Sequence, residues 1–402
     1  MKLSRLTLLA VPAALTSVLA LAPAQAFILS QPMAWGNPAR GGPACGTPAC
    51  EETPQPAGPA GAVSVDAENS FNLAIMPGGT VMAWGAGTDG DLGDGSTKNS
   101  TAVPVQVTGL TGVTQTGGGD SDAIALEGNG SVWTWGNNDH GQLGTGTAAG
   151  HSTVPARVRL PGRACAVDAG AAHMYAVACD GTVWAWGGGG DGVLGDGSTG
   201  GHDTPVRVKG LAGVVAIASG NLFGYAQEAD GSWWSWGYGK FGQLCDGTTK
   251  NVLAPAPVPL LAGATDVSAG GNLATDGHIL ALLPGGNVEA CGANASGQLG
   301  DGITADSSRP VLLANLTGIR AIAAGGYHSL ALDSSGGVWA WGGNDHGQVG
   351  NGSTANVLEP VRVLSGASMI SAGSMHSLAL GTGDETAAKA GGRGRDLGGG
   401  AG

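Results

Sequence analysis

Four histidines, His173, His278, His328 and His376, stand at one equivalent position in successive stretches of this chain, with Phe71, Asp122 and Phe223 in the other copies. Imidazole suits acid–base catalysis and metal ligation, but either needs several side chains at one point. A repeated array spreads equivalent residues around an axis, so a hydrogen bond to nearby turn backbone is the expected role. Asp94, Asp196, Asp246 and Asp301 recur in a Gly-Asp-Gly turn, with Cys245 in place of the first glycine before Asp246. Calcium would need several oxygens per loop, whereas one aspartate bracing a turn needs none besides its own. Gly85-Gly87-Gly90, Gly187-Gly189-Gly192 and Gly237-Gly239-Gly242 fit a GxGxxG string. That string holds a dinucleotide only where a helix follows, and here another loop follows. No GxSxG, HExxH, CxxC or P-loop string occurs. No catalytic residue, metal site or cofactor is therefore assigned.

Six cysteines remain. Cys165 and Cys179 flank two short strands around a tight turn and would face each other. Cys45 and Cys50 could close a small loop. Cys245 replaces the second glycine of a GQLG motif and Cys291 replaces a signature tryptophan in the next repeat. Paired departures fit a cross-link between repeats, and two unrelated thiols are the other reading.

The elements that position these residues follow from one period. A Trp-Gly signature, or its remnant, recurs at Trp35, Trp84, Trp135, Trp186, Trp236, Cys291 and Trp341, in steps of 49, 51, 51, 50, 55 and 50 residues. Units this glycine-rich bury no core alone, so neighbours must supply one another's contacts. In the stretch from Gly318 to Val363, four strands are expected: Ile319 to Ala323, His328 to Leu332, Val338 to Trp341 and Pro360 to Val363. Proline opens the last of these, which marks it as a sheet edge. Strand alternation puts Trp339 and Trp341 on one face, and the same phase in every copy implies packing between sheets.

Four-stranded units repeated radially make an all-β, seven-bladed β-propeller. The last unit stops after two strands, at Ser377 to Leu380, while Ser30 to Gly36 reads as a third strand with none before it. The N-terminal strand should complete the last blade and close the ring. The expected organisation is a secretory signal peptide over 1–26, a propeller over 27–380 and a disordered Gly-rich tail over 381–402. The leader reading rests on Lys2 and Arg5, the apolar run from Leu6 to Ala22 and the small residues around Gln25; a membrane anchor is its alternative. The formal charge of −13, or −15 without Lys2 and Arg5, and the thin scatter of basic residues argue against nucleic acid as a partner.

The motif order G-x-x-HSLAL, VWAWG, GQLGDG, P-V-x-V, from about Ser30 to Leu380, resembles the regulator of chromosome condensation repeat. The resemblance implies a seven-bladed propeller. The founding member is a nuclear exchange factor for a small GTPase that docks on chromatin, and an acidic exported chain of bacterial type shares neither that setting nor a basic docking surface. A secreted bacterial propeller that inhibits β-lactamases is similar in its blades only.

The expected function is a secreted or periplasmic, cell-envelope-associated, non-enzymatic propeller that binds a protein or other macromolecule through loops on one face. The mature chain should have no membrane span. The first-to-second and third-to-fourth connections share a face. Candidate contacts there are Lys98, Asn99, His151, His202, Lys250, Asn251, Asp306 and, in an insertion from Leu273 to Gly277, Asp276. A propeller-face hydrolase or lyase and a structural or adhesive envelope role are the alternatives.

Overall fold

The structure, a computed structural model, describes residues 31–40, 42, 51–272 and 277–381. The signal peptide, the tail beyond Gly381, Cys45, Cys50 and Asp276 lie outside the described residues. Strands 64–67, 71–75, 81–85 and 100–106 form blade 1, and the next five blades repeat the pattern in chain order. All seven sheets have four strands. Their first strands face the axis, and their fourth strands are outermost.

Blade 7 is built from both ends of the chain. Ala367–Ala372 and His376–Gly381 supply its inner half, and Pro32–Gly36 pairs antiparallel with the latter, from Pro32 opposite Leu380 to Gly36 opposite His376. Gln55–Pro56 adds the outer strand. This strand was not expected from sequence, because two residues carry no alternation.

In blade 6 the strands are Ile319–Ala324, His328–Asp333, Val338–Gly342 and Val357–Leu364. The fourth thus begins three residues before Pro360. The pairing steps from Gly342–Val357 to Ala340–Val361 across a register shift, so the proline sits where the ladder is already broken and its missing N–H leaves no gap. Pro104, Pro155, Pro205, Pro255 and Pro310 lie in the corresponding strands. The VWAWG phase resolves unequally: Trp341 is fully buried, while Trp339 is half-buried. Each blade's core is completed by its neighbour, as where Trp341 packs among Leu280, Leu299 and Leu316 of blade 5.

Candidate functional site

Two sets of connections share one face of the ring because each third-to-fourth loop starts on a hydrogen bond to a first-to-second loop. Ala86, Asn137, Gly188, Tyr238, Ala293 and Gly343 each donate their N–H to the carbonyl of Ser70, Ser121, Ala172, Leu222, Gly277 and Tyr327 respectively, at 2.7–2.9 Å. The axial channel opens on this face.

The long loops are braced from within. Asn294 and Asn344 are fully buried at the loop bases. The side-chain oxygen of Asn344 accepts the N–H of Val349 at 2.9 Å, and its amide donates to the carbonyls of Ser353 and Ala355 at 2.7 and 3.0 Å. Asn294 and Asn138 do the same work in blades 5 and 2. These asparagines belong to no motif singled out above, although their recurrence shortly after Trp-Gly marks them in the sequence. The Gly-Asp-Gly aspartates close the tips: Asp94, Asp196 and Asp246 accept the N–H two residues on at 2.7–2.9 Å.

The candidate contact residues therefore divide. Asn99 and Asn251 accept the N–H of Gly87 and Gly239 at 3.0 and 3.1 Å, and Asp306 accepts that of Asn294 at 2.8 Å. These three tie the far end of each loop to its start. His202 lies 3.1 Å from Asp196 and braces its own loop. Lys98, His151 and Lys250 are exposed. Among the described residues the candidates are spread over five blades.

Beneath the loops runs a belt of inter-blade contacts. His278 and His328 lie 2.9 and 2.8 Å from the hydroxyls of Ser329 and Ser377 in the next blade. Those hydroxyls donate onward to the carbonyls of Gln298 and Gln348, both at 2.8 Å. Each serine has one proton and spends it on the carbonyl, so the histidine Nε2 must be the donor. His173 meets Ser219 at 3.0 Å and His376 meets Asn72 at 2.7 Å. The partners are thus side chains of the following blade rather than turn backbone. Burial pushes His173 and His328 down to about 3, which keeps both neutral. The signature indoles bond in the opposite direction: Trp135, Trp186, Trp236 and Trp341 donate to Asp91, Gln142, Val193 and Gln298 carbonyls of the preceding blade at 2.7–2.9 Å.

Two disulfides belong to the described residues. Cys165–Cys179 clips the edge of blade 3, with Cα atoms 4.9 Å apart. Cys245–Cys291 joins the blade 4 loop to the third strand of blade 5, with Cα atoms 5.9 Å apart. The cavity on the axis, about 340 Å³, is lined by all seven first strands and carries Asp66, Glu68, Asp120, Asp168 and Asp266. Among the described residues, no group of three or more His, Cys, Asp or Glu is arranged to hold a metal ion, and no helix is long and apolar enough to cross a membrane.

A family model described as the RCC1-like domain matches residues 110–400, and one for the regulator of chromosome condensation (RCC1) repeat matches 78–126. Among curated proteins, the human probable E3 ubiquitin-protein ligase HERC6 is 34% identical over 162 residues, covering 39% of this chain and 16% of its own. Human E3 ubiquitin-protein ligase HERC2 is 34% identical over 141 residues, covering 34% of this chain and 3% of its own. The chain thus spans well under two thirds of the relatives it matches. Prp20p of Saccharomyces cerevisiae, described by its binding to Gsp1p and histones, superposes with TM-score 0.75 at 22% identity over 88% of this chain and 91% of that one. The expectation of a non-enzymatic protein is corrected by the ligases, since the named relatives are enzymes. Absence of catalytic strings in one propeller says nothing about an activity housed elsewhere in a longer protein. The exclusion of nucleic acid, argued from charge, and the bacterial-type origin find no support in these relatives. Blade count, motif order, ring closure and the matched span agree: the chain belongs to the RCC1-like domain family.

Proposed function

We propose that this chain is an exported propeller that recognises another protein through the face carrying its third-to-fourth loops. The observation that carries the reading is the loop architecture. Asn99, Asn138 and Asn251 with the turn aspartates Asp94 and Asp246 hold the loops of blades 1, 2 and 4 in fixed shapes while Lys98, His151 and Lys250 stand exposed on them. Preformed loops bind with little ordering cost, which favours recognition by shape and charge. Prp20p, a propeller of the same fold, is described by its binding to Gsp1p and histones, and supports a protein partner. The apolar N-terminal run supports export. The test is affinity capture from the medium and envelope of the producing cells with the parent chain and a Lys98→Glu, Lys250→Glu variant. A partner retained by the parent and lost by the variant is expected; equal retention would move recognition off this face.

A further inference from the structure

The channel wall breaks the seven-fold pattern at one place. At the end of the first strand, the residue whose N–H bonds the carbonyl that opens the second strand is Gly119, Gly170, Gly220, Gly325 or Gly373 in five blades, at 2.9–3.0 Å. Blade 1 has Glu68 there, making the same bond to Phe71 at 3.0 Å. Blade 2 departs beside it. Where other blades have Ala67, Ala169, Ser219, Ala324 and Ala372, it has Gly118, and a Cβ built on Gly118 would stand 2.8 Å from the carboxyl carbon of Glu68. The missing side chain is the space that the glutamate occupies. Two positions along the wall, Asp66 and Asp168 occupy equivalent places in blades 1 and 3, and blade 2 between them has Gly117, whose built Cβ would lie 3.7 Å from Asp168 Oδ1. Three carboxyl groups are thus set along a side-chain-free strip of the channel wall.

They are unequally satisfied. Asp66 accepts from the Ser371 hydroxyl at 3.2 Å, and Asp168 from the N–H groups of Ser219 and Ala169 at 2.7 and 2.9 Å. Glu68 is 7% exposed, and its Oε1 has no hydrogen-bond partner. Among the described residues, no lysine or arginine lines the cavity. Burial, reinforced for Glu68 by the charges of Asp66 and Asp168, pushes all three groups up, Asp66 to about 6 and Asp168 to about 7. Glu68 and Asp66 share a side-chain hydrogen bond, which leaves the buried Oε1 of Glu68 with no donor; an acid pair with an unmatched buried oxygen and no counter-ion is an incomplete arrangement.

We propose that the channel mouth between blades 1 and 3 receives a basic side chain, an arginine, from the bound partner, with Glu68 as its principal acceptor. A guanidinium presents five N–H donors in a planar fan and suits several acceptors set apart, whereas a metal ion needs them drawn together, which these groups are not. The cavity of about 340 Å³ has room for such a side chain. The inference rests on the protein-binding reading for the carrier of the arginine, but its test does not, because the probe is a small molecule.

The full chain is titrated with N-acetylarginine amide by calorimetry at pH 7, with N-acetylcitrulline amide and calcium chloride as separate arms. Binding of the arginine probe with proton release, no binding of the isosteric neutral probe, and at least a tenfold loss in Glu68→Gln and in Asp66→Asn are expected. Glu359→Gln, on the outer strand of blade 6, should bind as the parent does. Absence of arginine binding, equal binding of citrulline, parent-like affinity in both channel variants, or displacement of the probe by calcium in a Glu68-dependent manner would each overturn the proposal.

Discussion

Cys245 and Cys291 show how two departures from a repeat can be one change. In other blades the corresponding glycine abuts the next signature indole: a Cβ built on Gly144 or Gly300 would stand 2.7 or 2.6 Å from the Trp186 or Trp341 Nε1. Replacing Trp by Cys291 empties that space, and Cys245 fills it while keeping the positive φ, 56°, that suits glycine. Cys245→Gly alone should lose the cross-link and leave a void. Cys291→Trp alone should drive an indole into Cys245. Each should destabilise by more than about 2 kcal/mol, and the double variant should regain much of it. A double-mutant cycle on urea unfolding measures the coupling, and additive losses would show that the sites are independent. Titration supplies a second test. His173 and His328, held near 3 by burial, bind fewer protons folded than unfolded, so their contribution is present above about 6.5 and is lost as pH falls toward 3. Asp66 and Asp168, raised to about 6 and 7, bind more protons folded; their contribution is present below the ordinary carboxylate range and is lost as pH rises through those values. From pH 6.5 to 8 the acids set the slope, and the thermal midpoint should fall. Glu68 is likewise pushed up by burial and its acidic neighbours, so it disfavours folding above the ordinary carboxylate range; Glu68→Gln should raise the midpoint at pH 8 and leave it unchanged at pH 4, and a variant as pH-sensitive as the parent would place the acid response elsewhere.

At the scale of the strand, the third of each blade carries the inter-blade contact that sequence alone displayed best. Trp341 is fully buried with its N–H on Gln298, whereas Trp339 is half-buried and donates to Asp333 of its own hairpin at 3.0 Å. Trp341→Ala should cost about 3–5 kcal/mol, and Trp339→Ala clearly less, measured by chemical denaturation; equal losses would mean that both indoles seal the same interface. Such strands were legible because an indole held in one phase at one period is what packing between repeated sheets requires. Three features were not, for identifiable reasons. The partner of His328 was hidden because Ser377 lies in a different blade, at a sequence distance that local turn reasoning never samples. Asn99, Asn251 and Asp306 looked like recognition residues because they sit on long polar loops, yet each accepts a backbone N–H at its loop base, and Asn251 also donates to Asp191 of blade 3 at 2.7 Å. Glu68 was passed over because a lone glutamate in a glycine position has no motif; only the seven-fold superposition of first strands exposes it.

For the whole molecule, closure is the property on which the rest depends. Six blades are each continuous in the chain, and blade 7 joins Pro32–Gly36 to His376–Gly381 across more than three hundred residues. That strand also delivers Trp35, fully buried among Leu330, Leu332, Val338 and Val349 of blade 6, so it completes one sheet and fills the interface with the next. Its loss would leave His376–Gly381 with an unpaired edge, and a flat apolar edge is a template for another chain. Contacts between the two ends carry the largest loop-closure cost in the fold, so they should form late and open first. A chain lacking residues 27–36 is therefore expected to unfold at a markedly lower temperature than the parent and to self-associate, whereas one lacking residues 382–402 should keep the parent midpoint. Supplying Pro32–Gly36 as a separate peptide should partly restore the midpoint in a concentration-dependent way, since it binds only the folded ring. Calorimetry and sedimentation on the three chains decide it: a monomeric N-terminal truncation with an unchanged midpoint would show that six blades hold the ring without the seventh being sealed.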